Sequence, residues 1–167
     1  EKVKEAGFPD LHLQETLGGG PNLGGGFKEH ELEKINGLGI NSVAFYNMGG
    51  IDEDYLTYGA NSLEIRKNWD EAFDIPVFPC VSVGWDDTPR FPAEGEKDVV
   101  HYHNTPQVFA TFLSKAKKYA DEHPEQPKLI TINAWNEWVE GSYLLPDMYT
   151  GFGYLEAIRD VFDGKYE

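Results

Sequence analysis

Strand-length apolar segments alternate four times with amphipathic segments along this chain of 167 residues. The apolar segments are LHLQE (11–15), SVAFYN (42–47), VFPCVSV (77–83) and KLITINAW (128–135). Each is followed by a pattern typical of a helix, at 27–39, 62–73, 106–122 and 154–162. Because parallel strands need long and usually helical crossover connections, four such units predict a parallel sheet covered by helices.

Two α/β architectures fit this alternation. An open four-stranded parallel sheet would leave two unpaired edges, which invite association with other strands. Four βα units are also half of a (β/α)8 barrel, which typically needs about 250 residues. We therefore favour a single domain over 1–167 that is the C-terminal half of such a barrel, completed by a missing half or by a second copy. A small open doubly wound sheet is the alternative.

The net charge of −15, from 14 basic and 29 acidic residues, argues against several partners. A negative protein repels phosphate backbones and anionic membrane surfaces, so we expect no nucleic-acid partner. No run approaches the roughly 20 apolar residues of a membrane span, and no signal-peptide pattern is present. Cys80 is the only cysteine, which excludes an intrachain disulfide. The compartment stays undecided, with a periplasmic or extracellular location favoured over the cytoplasm.

Polar and aromatic residues follow all four predicted strands. Ligands bind beyond the carboxyl ends of parallel strands in barrels and in open sheets alike. The segments at those ends are QET (14–16), YNMGG (46–50), GWDDTPR (84–90) and WNEWVEG (135–141). We therefore expect the functional site to combine residues from these four segments.

The segment after the fourth strand holds two glutamates three residues apart, Glu137 and Glu140. In a helical turn, side chains at this spacing lie on one face, with Cβ atoms about 5–6 Å apart. Retaining glycosidases use carboxyl groups about 5–5.5 Å apart, one ionised and one protonated. Trp135 and Trp138 would wall the pocket and stack on a sugar. A solvated acidic turn with both tryptophans in the core is the alternative interpretation.

Three segments carry a family resemblance, in the order GWDDTPRF (84–91), HNTPQVFATFL (103–113) and INAWNEWVEGSYLLPD (132–147). They resemble segments of the glycoside hydrolase family 99-like domains, which include the WbsX-like group connected with polysaccharide biosynthesis. The resemblance covers about 77–160 well and the first 75 residues loosely. It implies a (β/α)8 barrel acting on glycans, with this chain as its C-terminal half and no metal or cofactor.

The resemblance also implies roles for the two glutamates. The hydrolases of this family are endo-acting α-mannosidases that retain configuration through a 1,2-anhydro sugar. Glu137 is similar to the carboxylate that takes the proton from the sugar 2-hydroxyl. Glu140 is similar to the acid that protonates the leaving oxygen and later activates water. Val139 replaces a histidine of the mannosidases, so mannose specificity does not follow. Asp87 stands where asparagine is frequent, and Leu145 stands where many relatives have a glutamate that would make a polar contact.

The other candidates for substrate contact lie at several strand ends. They are Tyr46, Trp85, Asp86, Arg90, His103, Asn104, Trp135, Asn136 and Trp138. For Asp86 and Arg90, an ordinary structural ion pair is the alternative. His101 and His103 have a spacing that some metal sites use, but no third ligand is evident, so we predict no metal.

Two further motifs suggest nucleotide chemistry only weakly. LGGGPNLGGG (17–26) lacks the Lys-Ser/Thr ending of a phosphate loop, and we expect a mobile loop. Asp52 and Asp54 form the Asp-x-Asp pattern of metal-dependent nucleotide-sugar transferases, although an acidic surface turn is favoured.

The sequence therefore predicts a glycoside hydrolase acting on an oligosaccharide or polysaccharide. A glycosyltransferase and a non-catalytic glycan-binding domain are the alternatives.

Overall fold

The computed structural model describes residues 2–17, 33, 35–50, 53–91 and 100–166. Its helices are α1 (Lys2–Glu5), α2 (Tyr55–Ala72), α3 (Pro106–Glu122) and α4 (Gly153–Phe162). Its strands are β1 (Gln14–Leu17), β2 (Ser42–Phe45), β3 (Cys80–Ser82), β4 (Thr131–Asn133), β5 (Asn136–Glu137) and β6 (Ser142–Tyr143). A 3₁₀ turn, Trp138–Glu140, links β5 to β6. Residues 33 and 35–37 are helical and belong to the predicted first helix.

The first four strands are parallel, as predicted. β1 pairs with β2, with Gln14 opposite Ser42, and β3 pairs with β4, with Cys80 opposite Thr131. A parallel bridge between Val43 and Val77 joins the two pairs. The strands therefore lie side by side in chain order, and their carboxyl ends point to one edge of the molecule.

Several predicted boundaries are wrong, and three of the differences have identifiable reasons. β1 begins at Gln14 rather than at 11, because Leu11 and Leu13 are exposed and lie before the first paired residue. β4 ends at Asn133 rather than at 135, because the chain then turns into the β5–β6 hairpin. α2 begins at Tyr55 rather than at 62, since Asp54 caps it by accepting a hydrogen bond from the Thr57 amide.

α3 has the bounds that the sequence predicts. The Thr105 side chain caps it by accepting from the Val108 amide, and Pro106 is its first residue. Its inner face buries Phe109, Phe112 and Leu113 against the sheet, α2 and α4. This helix is therefore the centre of the larger of two apolar clusters.

The smaller cluster lies beneath α2 and β2. It contains Ile35, Val43, Phe45, Trp69, Phe73 and Val77. The Phe45 and Trp69 rings stack with centroids 3.3 Å apart. A cavity of about 150 Å³ is lined by residues of β1, β2 and β4 together with Tyr46 and Ala134. In the part of the chain that is described, no helix has the length and apolarity of a membrane crossing.

Candidate functional site

A short hairpin follows β4 and carries both predicted catalytic glutamates. Asn136 pairs with Tyr143 and Glu137 with Ser142, in antiparallel register. The Ser142 hydroxyl anchors the hairpin to the end of β4 through the backbone oxygen and side-chain oxygen of Asn133, at 2.9 and 2.6 Å. The predicted helical turn is thus only partly present. Residues 138–140 form it, whereas Glu137 lies before the turn and pairs with Ser142 in the hairpin.

Glu140 is buried, with a relative exposure of 7%, and both of its carboxylate oxygens are hydrogen bonded. The Tyr46 hydroxyl donates to Oε2 at 2.8 Å. The Arg90 guanidinium donates to Oε1 at 2.9 Å and is itself half-exposed. Tyr46 directly follows β2, and Arg90 lies in the segment after β3. Side chains from the ends of three neighbouring strands therefore meet at one carboxylate.

Tyr46 is held in its protonated form by its surroundings. Burial, followed by the hydrogen bond to Glu140 and the nearby charges of Glu140 and Glu137, raises the pKa of Tyr46 to about 12. Its ring contacts Trp85 edge to face, with centroids 6.5 Å apart. At neutral pH this phenol is therefore a hydrogen-bond donor to Glu140.

The segment 85–91 is docked onto the turn that carries Glu140. The Asp86 amide donates to the Glu140 backbone oxygen at 2.7 Å. Gly141 has a φ of 57°, and a Cβ there would lie 2.7 Å from the Asp86 Cβ, so this close approach requires glycine. The Asp86 carboxylate accepts from the Thr88 amide and hydroxyl and so shapes its own loop. Arg90 therefore pairs with Glu140 rather than with Asp86, which was the alternative to a contact with substrate.

The two tryptophans around the glutamates face solvent. Trp135 is 55% and Trp138 48% exposed, so the alternative of two core tryptophans is wrong. The Trp138 ring packs on Tyr143 with centroids 4.1 Å apart. Asn136 is exposed and Glu137 is half-buried. Two exposed aromatic side chains therefore lie next to the glutamates in the chain.

His101, His103 and Asn104 of the segment 101–105 lie in different surroundings. His101 is buried and packs on the Tyr58 ring, 4.1 Å between centroids. His103 is exposed, has a φ of 63° and pairs through Nδ1 with Asp54 at 2.9 Å. The Asn104 amide donates to the Val83 backbone oxygen at 3.3 Å. Hence the two histidines do not converge on one ligand, and no group of three potential metal ligands occurs among the described residues.

Some predicted features lie outside the described residues, and some features of the site were not predicted. Asp52 and most of the glycine-rich segment, 18–26, are in the undescribed part.

Sequence reasoning missed Ser142, which anchors the hairpin, and Tyr143, which supports Trp138. Their position directly after Gly141 is the only sequence signal for them, because the antiparallel pairing that uses them is too short to show a period.

A family model described as glycosyltransferase WbsX matches residues 27–158. The chain belongs to this family. A segment covering 53% of the chain is 33% identical over 89 residues to the uncharacterized protein WxcX of Xanthomonas campestris pv. campestris, in two strains. The match spans only 12% of the length of WxcX.

The fold is similar to a glycoside hydrolase family 99 enzyme. That structure is the endo-α-mannosidase of Bacteroides thetaiotaomicron in complex with Bis-Tris-propane, with a TM-score of 0.55 and 18% identity. The match covers 93% of this chain and 46% of the mannosidase. Together with the family match, it confirms the resemblance to family 99-like and WbsX-like domains and the α/β fold with parallel strands.

Proposed function

We propose that this WbsX-family chain forms part of a carbohydrate-active enzyme, a retaining glycoside hydrolase in which Glu137 and Glu140 exchange protons with the sugar. The burial of Glu140 where three strand ends meet carries the proposal. A buried, hydrogen-bonded carboxylate at the carboxyl end of a parallel sheet is typical of a catalytic group. The solvated acidic turn expected of a structural Glu-x-x-Glu pair does not fit a glutamate that is 7% exposed.

Open aromatic surfaces beside the carboxylates support a sugar as the ligand. Pyranose rings present apolar C–H faces, and exposed indole rings offer the matching flat apolar surface. Trp135 and Trp138 meet this requirement, with exposures of 55% and 48%. In the proposed complex, Trp85, Asn136, His103 and Asn104 supply further contacts at the rim. A neutral or weakly charged glycan suits a chain of net charge −15 better than an anionic ligand does.

The proposed reaction has two steps, and each glutamate makes one proton transfer in each step. Glu137 removes the proton of the sugar 2-hydroxyl, whose oxygen attacks C1, while Glu140 protonates the departing glycosidic oxygen. The products of this first step are a 1,2-anhydro sugar and the released alcohol. Glu140 then takes a proton from water, which opens the anhydro ring at C1, and Glu137 returns its proton to the 2-oxygen. Configuration is retained because C1 is inverted twice.

The strand order supports the proposal that this chain is half of a (β/α)8 barrel. β1 to β4 lie side by side in chain order, whereas a doubly wound sheet reverses its order at a switch point. The alignment with 46% of the family 99 mannosidase is consistent with half of a barrel. The missing strands would come from the rest of the polypeptide or from a second copy, and the mass of the chain in solution distinguishes these sources.

The proposal is tested with the full-length protein that contains this chain. We expect release of oligosaccharides from at least one member of a panel of mannose-rich and other polysaccharides, with retained anomeric configuration detected by NMR. Glu137→Gln and Glu140→Gln should abolish this release while preserving the circular dichroism spectrum. Equal activity of both variants and the parent would show that the assignment is wrong.

The description of the family as a glycosyltransferase favours a second candidate function. Such an enzyme needs a nucleotide-sugar donor, and the Asp-x-Asp pattern at Asp52 and Asp54 is its candidate site. Both Asp54 oxygens are already bonded, Oδ1 to Thr57 and Oδ2 to His103, which favours the hydrolase. Calorimetric titration with a set of nucleotide sugars tests the alternative, and saturable binding lost in Asp54→Asn would support it. Glycan binding without turnover would instead indicate a non-catalytic domain.

A further inference from the structure

We propose that Tyr46 and Arg90 are positioning residues for Glu140, and that neither acts primarily through contact with the sugar. The inference rests on the proposed function and revises the sugar contacts that the sequence suggests for these two residues. The Tyr46 hydroxyl and the Arg90 guanidinium each take a different oxygen of the carboxylate, at 2.8 and 2.9 Å. A glutamate held at both oxygens cannot rotate its carboxyl plane without breaking a hydrogen bond.

The arrangement leaves Glu140 able to react. Each carboxylate oxygen has two lone-pair sites, so one donor on each oxygen leaves a second site free for a proton or a hydroxyl. Catalytic groups must stay close to their productive geometry, and a displacement of about 1 Å can cost about 100-fold in rate. Two donors that fix the carboxylate without saturating it are therefore suited to positioning.

Both donors are themselves held in place by other parts of the chain. The Tyr46 ring contacts Trp85 edge to face. The segment that carries Arg90 is anchored to the turn of Glu140, since the Asp86 amide donates to the Glu140 backbone oxygen. It also folds into a turn of its own, in which the Arg90 amide donates to the Asp87 backbone oxygen. The contacts to Glu140 therefore join three strand ends into one unit.

A positioning role and a sugar-contact role predict different kinetics. A residue that orients the catalytic carboxylate lowers kcat with little change in KM when it is removed. A residue that binds the sugar equally well in the ground state and in the transition state raises KM and leaves kcat unchanged. The two roles are therefore separable in steady-state measurements on single variants.

The first experiment needs no activity. In the full-length protein, the thermal-unfolding midpoint is measured for the parent, Tyr46→Phe, Glu140→Gln and the double variant, and likewise for Arg90→Gln. Because the residues of each pair are in direct contact, we expect the two single effects to be non-additive. The control is the combination of Tyr46→Phe with Asp121→Asn, because the Asp121 carboxylate lies at the other end of the sheet. The two changes in unfolding midpoint should be additive in this control. Additive effects in both test cycles would overturn the inference.

The second experiment uses the polysaccharide that the parent cleaves. We expect Tyr46→Phe and Arg90→Gln to lower kcat about 10- to 100-fold with KM changed less than about threefold. Arg90→Lys should recover part of the lost kcat, since it restores one cationic donor. A raised KM with unchanged kcat would overturn the inference in favour of sugar contacts. If the parent cleaves nothing, the proposed hydrolase fails, and the unfolding cycles alone decide whether the two donors hold Glu140.

Discussion

The two ends of β4 each carry a carboxylate bonded to two side chains, in opposite surroundings. At the carboxyl end, Glu140 is buried and bonded to Tyr46 and Arg90. At the amino end, Asp121 at the end of α3 is exposed and pairs with Lys117 at 2.7 Å and Lys128 at 2.6 Å. A carboxylate bonded to two side chains thus occurs in a buried and in an exposed setting.

The difference shows that burial decides what such a carboxylate can do. Water competes for the lysines of Asp121, so this network contributes little and is sensitive to salt. Glu140 has lost most of its water, so it depends on its protein donors, and removing one leaves a buried group unpaired. In parallel α/β folds the carboxyl ends of strands carry function, whereas the amino ends carry stability. We expect this chain to follow that division.

Measuring activity is the most direct test of the difference between the two carboxylates. In the full-length protein, Glu140→Gln should lower the rate of polysaccharide cleavage about 100- to 10,000-fold, because glutamine cannot transfer a proton. Asp121→Asn removes a carboxylate of the same charge at the other end of β4 and should leave the rate within about twofold. The rates are measured by oligosaccharide release at saturating substrate. Equal losses in the two variants would contradict the functional division of the ends.

Two glycine substitutions, at Gly141 and Gly151, test how much the docking at the carboxyl end contributes to stability. Gly141→Ala forces a left-handed residue and places a Cβ 2.7 Å from the Asp86 Cβ, so it should lower the free energy of unfolding by about 2 kcal/mol or more. Gly151→Ala is the matched control, because Gly151 has nearly the same φ, 59°, but no atom within 4 Å of the added Cβ. It should cost only about 1 kcal/mol. Urea unfolding measures both, and equal costs would show that the docking of 85–91 onto the turn is unimportant.

The smallest effect is expected from Asp121 as pH changes. The hydrogen bonds from Lys117 and then Lys128 lower the pKa of Asp121 from 3.8 to about 2. A lowered folded-state pKa stabilises the protein above pH 3.8, and this contribution disappears as pH falls towards 2. Asp121→Asn should therefore lower the midpoint of thermal unfolding slightly at pH 7, less so in 1 M salt, and not at all at pH 2. A difference that persisted at pH 2 would mean that lost packing, and not charge, is responsible.

Local sequence signals predicted the elements that depend on local physics. α3 has the predicted bounds because its first proline and its apolar stripe lie within the helix and its cap, Thr105, directly precedes it. The start of α2 was missed, because the cap is Asp54 and the first buried residues are tyrosines, which an aliphatic stripe does not reveal. The turn at Glu137 was predicted as helical because the spacing of the glutamates shows nothing of the strand pairing with Ser142.

The amino-acid sequence alone determined the parallel α/β class, the family resemblance and the position of the glutamate pair behind the last parallel strand. Each of these is encoded within a few consecutive residues, as periodicity or as a motif. Only the tertiary structure decided which glutamate is buried and which side chains hold it. Tyr46 and Arg90 lie 94 and 50 positions before Glu140, and contacts over such separations arise only when the ends of different strands come together.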